Sequence, residues 1–123
     1  MKQSSVAALL VLGLGASAPA YQGDPVLVSG HYRVDWEEQS FRACGRSERW
    51  WVSDPGDLMA RYRDVVKDGD YGTVYATVRV ELTEPGMYGH LGMYRRAAAV
   101  REVVEARAPR SGDCDGRRTI EAE

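Results

Sequence analysis

Ten residues, Thr73 to Leu82, alternate without interruption. Val74, Ala76, Val78, Val80 and Leu82 share one parity; Tyr75, Thr77, Arg79 and Glu81 share the other. Successive side chains of an extended chain point to opposite sides, so period two over this length specifies a strand with one apolar face. A strand roughly 33 Å long cannot exist alone. It needs paired neighbours along its edges and a second layer over its apolar face.

The rest of the chain supplies those neighbours. From Val26 the pattern alternates again, with Val28, Gly30, Tyr32, Val34 and Trp36 on the inward parity and Ser29, His31, Arg33 and Asp35 on the other. Glu37-Glu38-Gln39 reads as a hairpin turn, and Ser40–Cys44 as the returning strand with Phe41 and Ala43 inward. Gly45–Glu48 makes a second turn. Arg49–Ser53 is a third strand, in which the adjacent Trp50 and Trp51 must point to opposite faces, one into the core and one towards a second face or solvent. Ser40–Val52 thus concentrates the sole Phe, two of the three Trp residues and one of the two cysteines.

Asp54 and Pro55 then have the chemistry of an N-cap and a first helical position. Leu58, Tyr62 and Val65 recur at helical spacing, predicting a helix over Gly56–Lys67 that Asp68-Gly69-Asp70 ends. Glu84–Gly92 reads as a glycine-containing loop. Tyr94–Ala108 is ambiguous: three consecutive alanines with Arg and Glu favour helix by propensity, while Val100, Val103 and Val104 fit either state. Tyr21–Pro25 reads as a loose lead-in, and Pro109–Glu123 as a tail pinned at Cys114.

A length of 123 residues suits one domain. Lys2, the apolar run Val6–Leu14 and the small residues of Ala18-Pro19-Ala20 have the layout of a secretory signal, with cleavage expected after Ala20. The run is too short to span a bilayer, and no cysteine follows it for lipid attachment, so no stable membrane anchor is expected. Removing residues 1–20 takes one lysine and no acid from a chain whose formal net charge is already −2. That balance argues against nucleic-acid binding, which draws on clustered basic residues. In an exported chain, periplasmic or secreted, two cysteines suggest one disulfide, Cys44–Cys114.

Candidate chemistry is sparse. His31 and His90 are the only histidines, and His31 lies on the polar parity of its strand, as an exposed and inert residue would. Pairing of both cysteines leaves no thiolate. No nucleophile, base and orienting group occur in a recognisable set, so no catalytic residues and no cofactor are expected. Glu37 and Glu38 fit a solvated turn better than an acid/base pair, since nothing desolvates either one. Asp68-Gly69-Asp70 lacks the remaining ligands of a calcium loop. Met87, His90 and Met93 share one loop at three-residue spacing, a soft ligand set suited to Cu(I); ordinary packing of the methionines is the competing reading, and it is preferred. Among the aromatics, Trp50, Trp51 and Tyr75 are the candidates to face a ligand, of which Tyr75 and one tryptophan are expected at a sheet surface.

Gly30-His31-Tyr32, Ser40-Phe41-Arg42-Ala43-Cys44-Gly45, Trp50-Trp51-Val52, Leu58 with Tyr62, the valine-rich Val74–Val80 and the late Cys114 together resemble the C-terminal OB-like domain of the NlpE lipoprotein family and related small exported proteins. The resemblance spans Val28 to Cys114 and implies that Tyr94–Ala108 is a strand, against its propensity. It implies a mainly β fold: a five-stranded OB-like barrel over residues 26–114 with one helix between strands 3 and 4, closed by the disulfide and followed by a flexible tail over 115–123. The chain lacks that family's lipid-attachment cysteine and its separate domain with a Cys-x-x-Cys pair. The resemblance carries over the fold and the disulfide; with the sheet-face aromatics, the acidic balance and export, the expected function is that of an exported, non-catalytic binding or interaction module for a protein or glycan, connected with envelope stress. A periplasmic copper-handling protein is the alternative.

Overall fold

The computed structural model describes residues 20–67 and 71–116. The expected signal segment up to residue 19, the Asp68-Gly69-Asp70 helix stop and residues 117–123 of the expected tail lie outside the described residues. The described chain is mainly β: one sheet of five strands with one helix. The strands are β1 (Tyr21–Asp35), β2 (Glu38–Ala43), β3 (Trp50–Asp54), β4 (Gly72–Thr83) and β5 (Ala97–Arg107), with α1 (Leu58–Val65) between β3 and β4. Antiparallel pairings join β1 to β2, β2 to β3, β4 to β5 and β1 to β4, and a parallel pairing joins β3 to β5. Every strand therefore has two neighbours, and the sheet closes on itself.

The inward parity of each strand fills the interior. Val28 and Tyr32 from β1, Phe41 from β2, Trp50 and Val52 from β3, and Val74, Ala76, Val78 and Val80 from β4 are buried together with Leu58 and Tyr62 of α1. Phe41 stacks on Trp50 at 6.1 Å between ring centroids, and Tyr62 meets Tyr32 edge-on at 5.8 Å. The Tyr32 hydroxyl donates to Gln39 Oε1. Burial pushes that hydroxyl's pKa well above the ordinary tyrosine value.

β5 settles the ambiguous segment in favour of a strand. Its inward residues, paired with Leu82, Val80, Val78 and Ala76, are Ala98, Val100, Val103 and Ala106. Register shifts place the extra residues Arg101 and Val104 outside the ladder, so inward positions recur at intervals of two, three and three. That spacing imitates a helix, which is why the sequence looks helical. Ala97, Ala98 and Ala99 are all fully buried. Just beyond them the start of the helix segment presses on β5: a Cβ at Gly56 would lie 2.5 Å from the Val100 carbonyl oxygen.

Several expectations are corrected. Tyr21–Pro25 is not loose but opens β1, where Tyr21 pairs with Thr83 and Gln22 with Leu82 before a bulge at Gly23-Asp24-Pro25 restores register at Val26. Tyr21 is held by its hydroxyl's hydrogen bond with Ser53 and by the Arg101 guanidinium, 5.4 Å from the ring centroid. The helix starts at Leu58 rather than Gly56, because Gly56 has φ +54 and cannot belong to it. Asp54 caps the preceding turn by accepting from the Gly56 N–H at 3.1 Å. Trp36 does not continue the inward parity. β1 ends at Asp35, whose carboxylate accepts the Trp36 N–H at 2.7 Å and turns the chain, leaving the indole 70% exposed.

Candidate functional site

Trp50 and Trp51 point to opposite faces, as adjacent strand residues must. Trp50 is core, 1% exposed, and so meets no ligand at the surface. Tyr75 is also 1% exposed, against expectation, although it lies on the outward parity of β4. Its ring is covered: the Arg107 guanidinium sits 4.5 Å from its centroid and His31 packs against it edge-on at 5.6 Å. Arg107 is itself fixed by Asp113, with 2.8 Å between Arg107 Nη2 and Asp113 Oδ1, and the adjacent Cys114 is joined to Cys44 by the expected disulfide. The C-terminal turn thus lies over this sheet face. Half-burial there disfavours the charged form of His31 and lowers its pKa, although Asp113 opposes the shift. The Arg107 guanidinium holds the Asp113 carboxyl below the usual carboxylate range. Of the three candidate aromatics, only Trp51 remains partly accessible.

Trp51 leads to the opposite end of the sheet, where the β4–β5 connection is built on it. Gly89 lies directly over the indole: a Cβ at that position would be 2.5 Å from Trp51 Cδ2, and the residue has φ +75. Tyr94 packs on the same indole at 5.4 Å. Tyr88 and Tyr94 exchange both backbone hydrogen bonds, at 2.8 and 3.0 Å, and Gly86 N–H donates to the Arg95 carbonyl at 2.8 Å. The connection is therefore a small hydrogen-bonded hairpin. Its tip is the turn His90–Gly92, in which Leu91 takes φ +58, a left-handed conformation rare for a bulky side chain.

This tip presents apolar groups outward. Six large apolar side chains stand exposed among the described residues, and four of them, Trp36, Met87, Leu91 and Met93 at 70–79%, belong to the β1–β2 turn or the β4–β5 tip. The two turns are linked by His90 Nε2 and Glu37 Oε1, 2.9 Å apart. A cleft of about 590 Å³ opens on one side of the Asp35–Glu38 turn, towards Glu48, Arg49, Met93 and Tyr94. A second, of about 610 Å³, opens between Trp36 and Trp51. Burial and a hydrogen bond to Glu38 raise the pKa of the Tyr94 hydroxyl beside the first cleft.

Met87, His90 and Met93 share this hairpin, as their spacing suggests, but the His90 Nε2 atom is engaged by Glu37. Among the described residues, no group of three or more His, Cys, Asp or Glu side chains is arranged to hold a metal. Both cysteines are in the disulfide. Sequence reasoning missed Trp36, which the alternation had assigned to the core, and Leu91. A usable signal for the hairpin was available: Gly89 and Gly92 enclose an apolar residue between Tyr88 and Tyr94. Comparison with known protein families, curated proteins and solved structures finds no match to this chain.

Proposed function

We propose that the chain is an exported, non-catalytic binding module of OB-like barrel architecture, and that it engages a protein partner through the end formed by the β1–β2 turn and the β4–β5 hairpin. The observation that carries this reading is the pairing of rigidity with exposure. The hairpin is fixed by backbone hydrogen bonds and by the Gly89–Trp51 contact, yet it displays Met87, Leu91 and Met93 to solvent beside Trp36. Exposed apolar clusters of this kind mark interaction sites on soluble proteins. Leu91 also holds a strained backbone at the tip, a feature that concentrates at functional positions. Methionine and leucine around a tryptophan suit a protein surface better than a sugar, which stacks on flat rings and needs a denser set of hydrogen-bonding groups. The segment over residues 1–20 and the disulfide support export, and the resemblance to NlpE-like domains supports the barrel and a place in envelope physiology.

The test is site-specific photocrosslinking in the exporting cell. A photoreactive residue at Met93 is expected to yield a discrete protein adduct, and one at Val104, exposed on β5, is not. Leu91→Gly should abolish the adduct while leaving stability unchanged or raising it by up to about 1 kcal/mol, because glycine accepts positive φ without strain. Equal adducts from both positions, or adduct formation untouched by Leu91→Gly and Trp36→Ala, would refute the reading. So would oligosaccharides that shift the Trp36 and Trp51 signals in the absence of any protein adduct.

A further inference from the structure

The two clefts beside the Asp35–Glu38 turn differ in charge. The one between Trp36 and Trp51 is lined by two indoles and by three carboxylates, Asp35, Glu37 and Glu38, with no lysine or arginine in its wall. Arg33 offsets part of that charge from the side, at 3.0 Å from Asp35 and 3.7 Å from Glu38. Among the described residues Glu37 is paired with His90, which carries charge only when protonated. The other cleft shares Trp36, His90 and the same three carboxylates and adds Glu48, but it also contains Arg49 and Arg95 beside Met93 and Tyr94. Both clefts are therefore acidic at the shared turn, and of the two only the one between Trp36 and Trp51 has no arginine in its lining to offset that charge.

A cation is the group that satisfies the first cleft. An indole face attracts a guanidinium or ammonium through its quadrupole, and nearby carboxylates add to that attraction. Guanidinium suits it best, being flat, weakly hydrated and able to stack on an indole while bonding carboxylates at its edge. A lone small cation would leave much of the roughly 610 Å³ cleft and all of the flanking apolar side chains unused. Resting on the reading that this end docks a protein, we infer that the docking segment of the partner is cationic: an arginine or lysine seats between Trp36 and Trp51, and an adjacent apolar residue covers Trp36 and Met93 across the turn.

The test uses the disulfide-bonded protein purified after export and three probes: acetyl-Leu-Arg-Leu-amide, the same peptide with glutamate in place of arginine, and free arginine amide. Binding is read from the indole and backbone amide NMR signals at millimolar probe concentrations. The arginine peptide should shift the signals of Trp36, Glu37, Trp51 and His90, and its affinity should exceed that of the glutamate peptide by about ten-fold at low salt and by less at 0.15 M ionic strength, where the Debye length is about 8 Å. Trp36→Ala and Glu37→Gln should each weaken it by roughly three- to five-fold. Both positions lie at an exposed turn, and an otherwise unchanged amide spectrum confirms that the variants are folded. Equal binding of the two peptides at this end would overturn the cationic assignment and leave the docking reading intact. Arginine amide binding as tightly as the peptide would overturn the assignment to a protein segment. Absence of any shift with the arginine peptide would overturn the inference, while the crosslinking result decides the docking reading separately.

Discussion

Removing the Cys44–Cys114 crosslink should destabilise this domain more than any single contact in its core. The cysteines are 70 positions apart. In the chain-entropy account, tying a loop of that length costs the unfolded ensemble an entropy that corresponds to roughly 4.4 kcal/mol at 25 °C. Domains of this size are stable by about 5–15 kcal/mol, so the loss removes much of the margin. With about 4–8 °C per kcal/mol for a domain of 60–100 residues, the melting temperature of the Cys44→Ala/Cys114→Ala variant should fall by about 18–35 °C. The folded state itself should change little. The C-terminal turn keeps its bidentate contact from Arg107 to Asp113 and the Arg110 N–H bond to the Asp113 carboxylate at 2.7 Å, so Tyr75 should remain covered.

Urea denaturation followed by tryptophan fluorescence measures the effect, and near-ultraviolet circular dichroism reports whether the aromatic packing of the folded variant is kept. The m-value should rise, because an uncrosslinked unfolded chain exposes more surface. A loss below about 1.5 kcal/mol would refute the loop-closure reasoning. A large loss accompanied by an altered aromatic spectrum before unfolding would refute it too, by placing the effect in the folded state, with the disulfide acting mainly to hold the turn on Tyr75.

Gly89→Ala sets a methyl group 2.5 Å from the Trp51 ring at φ +75, and should cost about 2–4 kcal/mol in urea denaturation with a shifted Trp51 emission. Gly23→Ala is the control, since φ +76 there adds strain but nothing lies within 4 Å; equal losses in the two variants would refute the role of the Trp51 contact. His31 has its pKa lowered in the folded state by desolvation, with Asp113 opposing and Arg42, Arg49 and Arg107 reinforcing. The unfolded chain therefore takes up the proton first, and His31 costs stability as pH falls from about 6.5 through the lower folded value. His31→Gln should flatten that part of the stability–pH profile, and a profile that is parallel in the two proteins would refute the assignment.

Much of the fold was legible because four strands keep period two. Val74–Leu82, the inward residues Val28 to Val34, Phe41 with Ala43, and the split of Trp50 from Trp51 all follow from alternation alone. The reading failed where something interrupts it. Bulges at Arg101 and Val104 give β5 the spacing of a helix, so only resemblance to a known domain pointed to a strand. Parity also misplaced Trp36, because it tells which way a residue points and not where the strand stops.

The site was hidden for a related reason. Tyr75 sits on the outward parity, and its burial depends on Arg107 and Asp113, more than thirty positions away, folding back over it. The opposite end depends on a contact that leaves no periodic trace, the seating of Gly89 on Trp51 across two connections of the chain. That contact is what changes the meaning of Met87, His90 and Met93. As a spaced trio they read as methionines packed on the barrel beside a solvated histidine, with soft metal ligation the weaker alternative. On the hydrogen-bonded hairpin His90 pairs with Glu37, and Met87, Leu91 and Met93 stand exposed rather than packed on the sheet. The proposed binding end joins residues distant in sequence, and Leu91 is its sharpest test: an exposed leucine in a left-handed turn is unfavourable to the isolated domain, and contact with a partner is the benefit that we propose retains it.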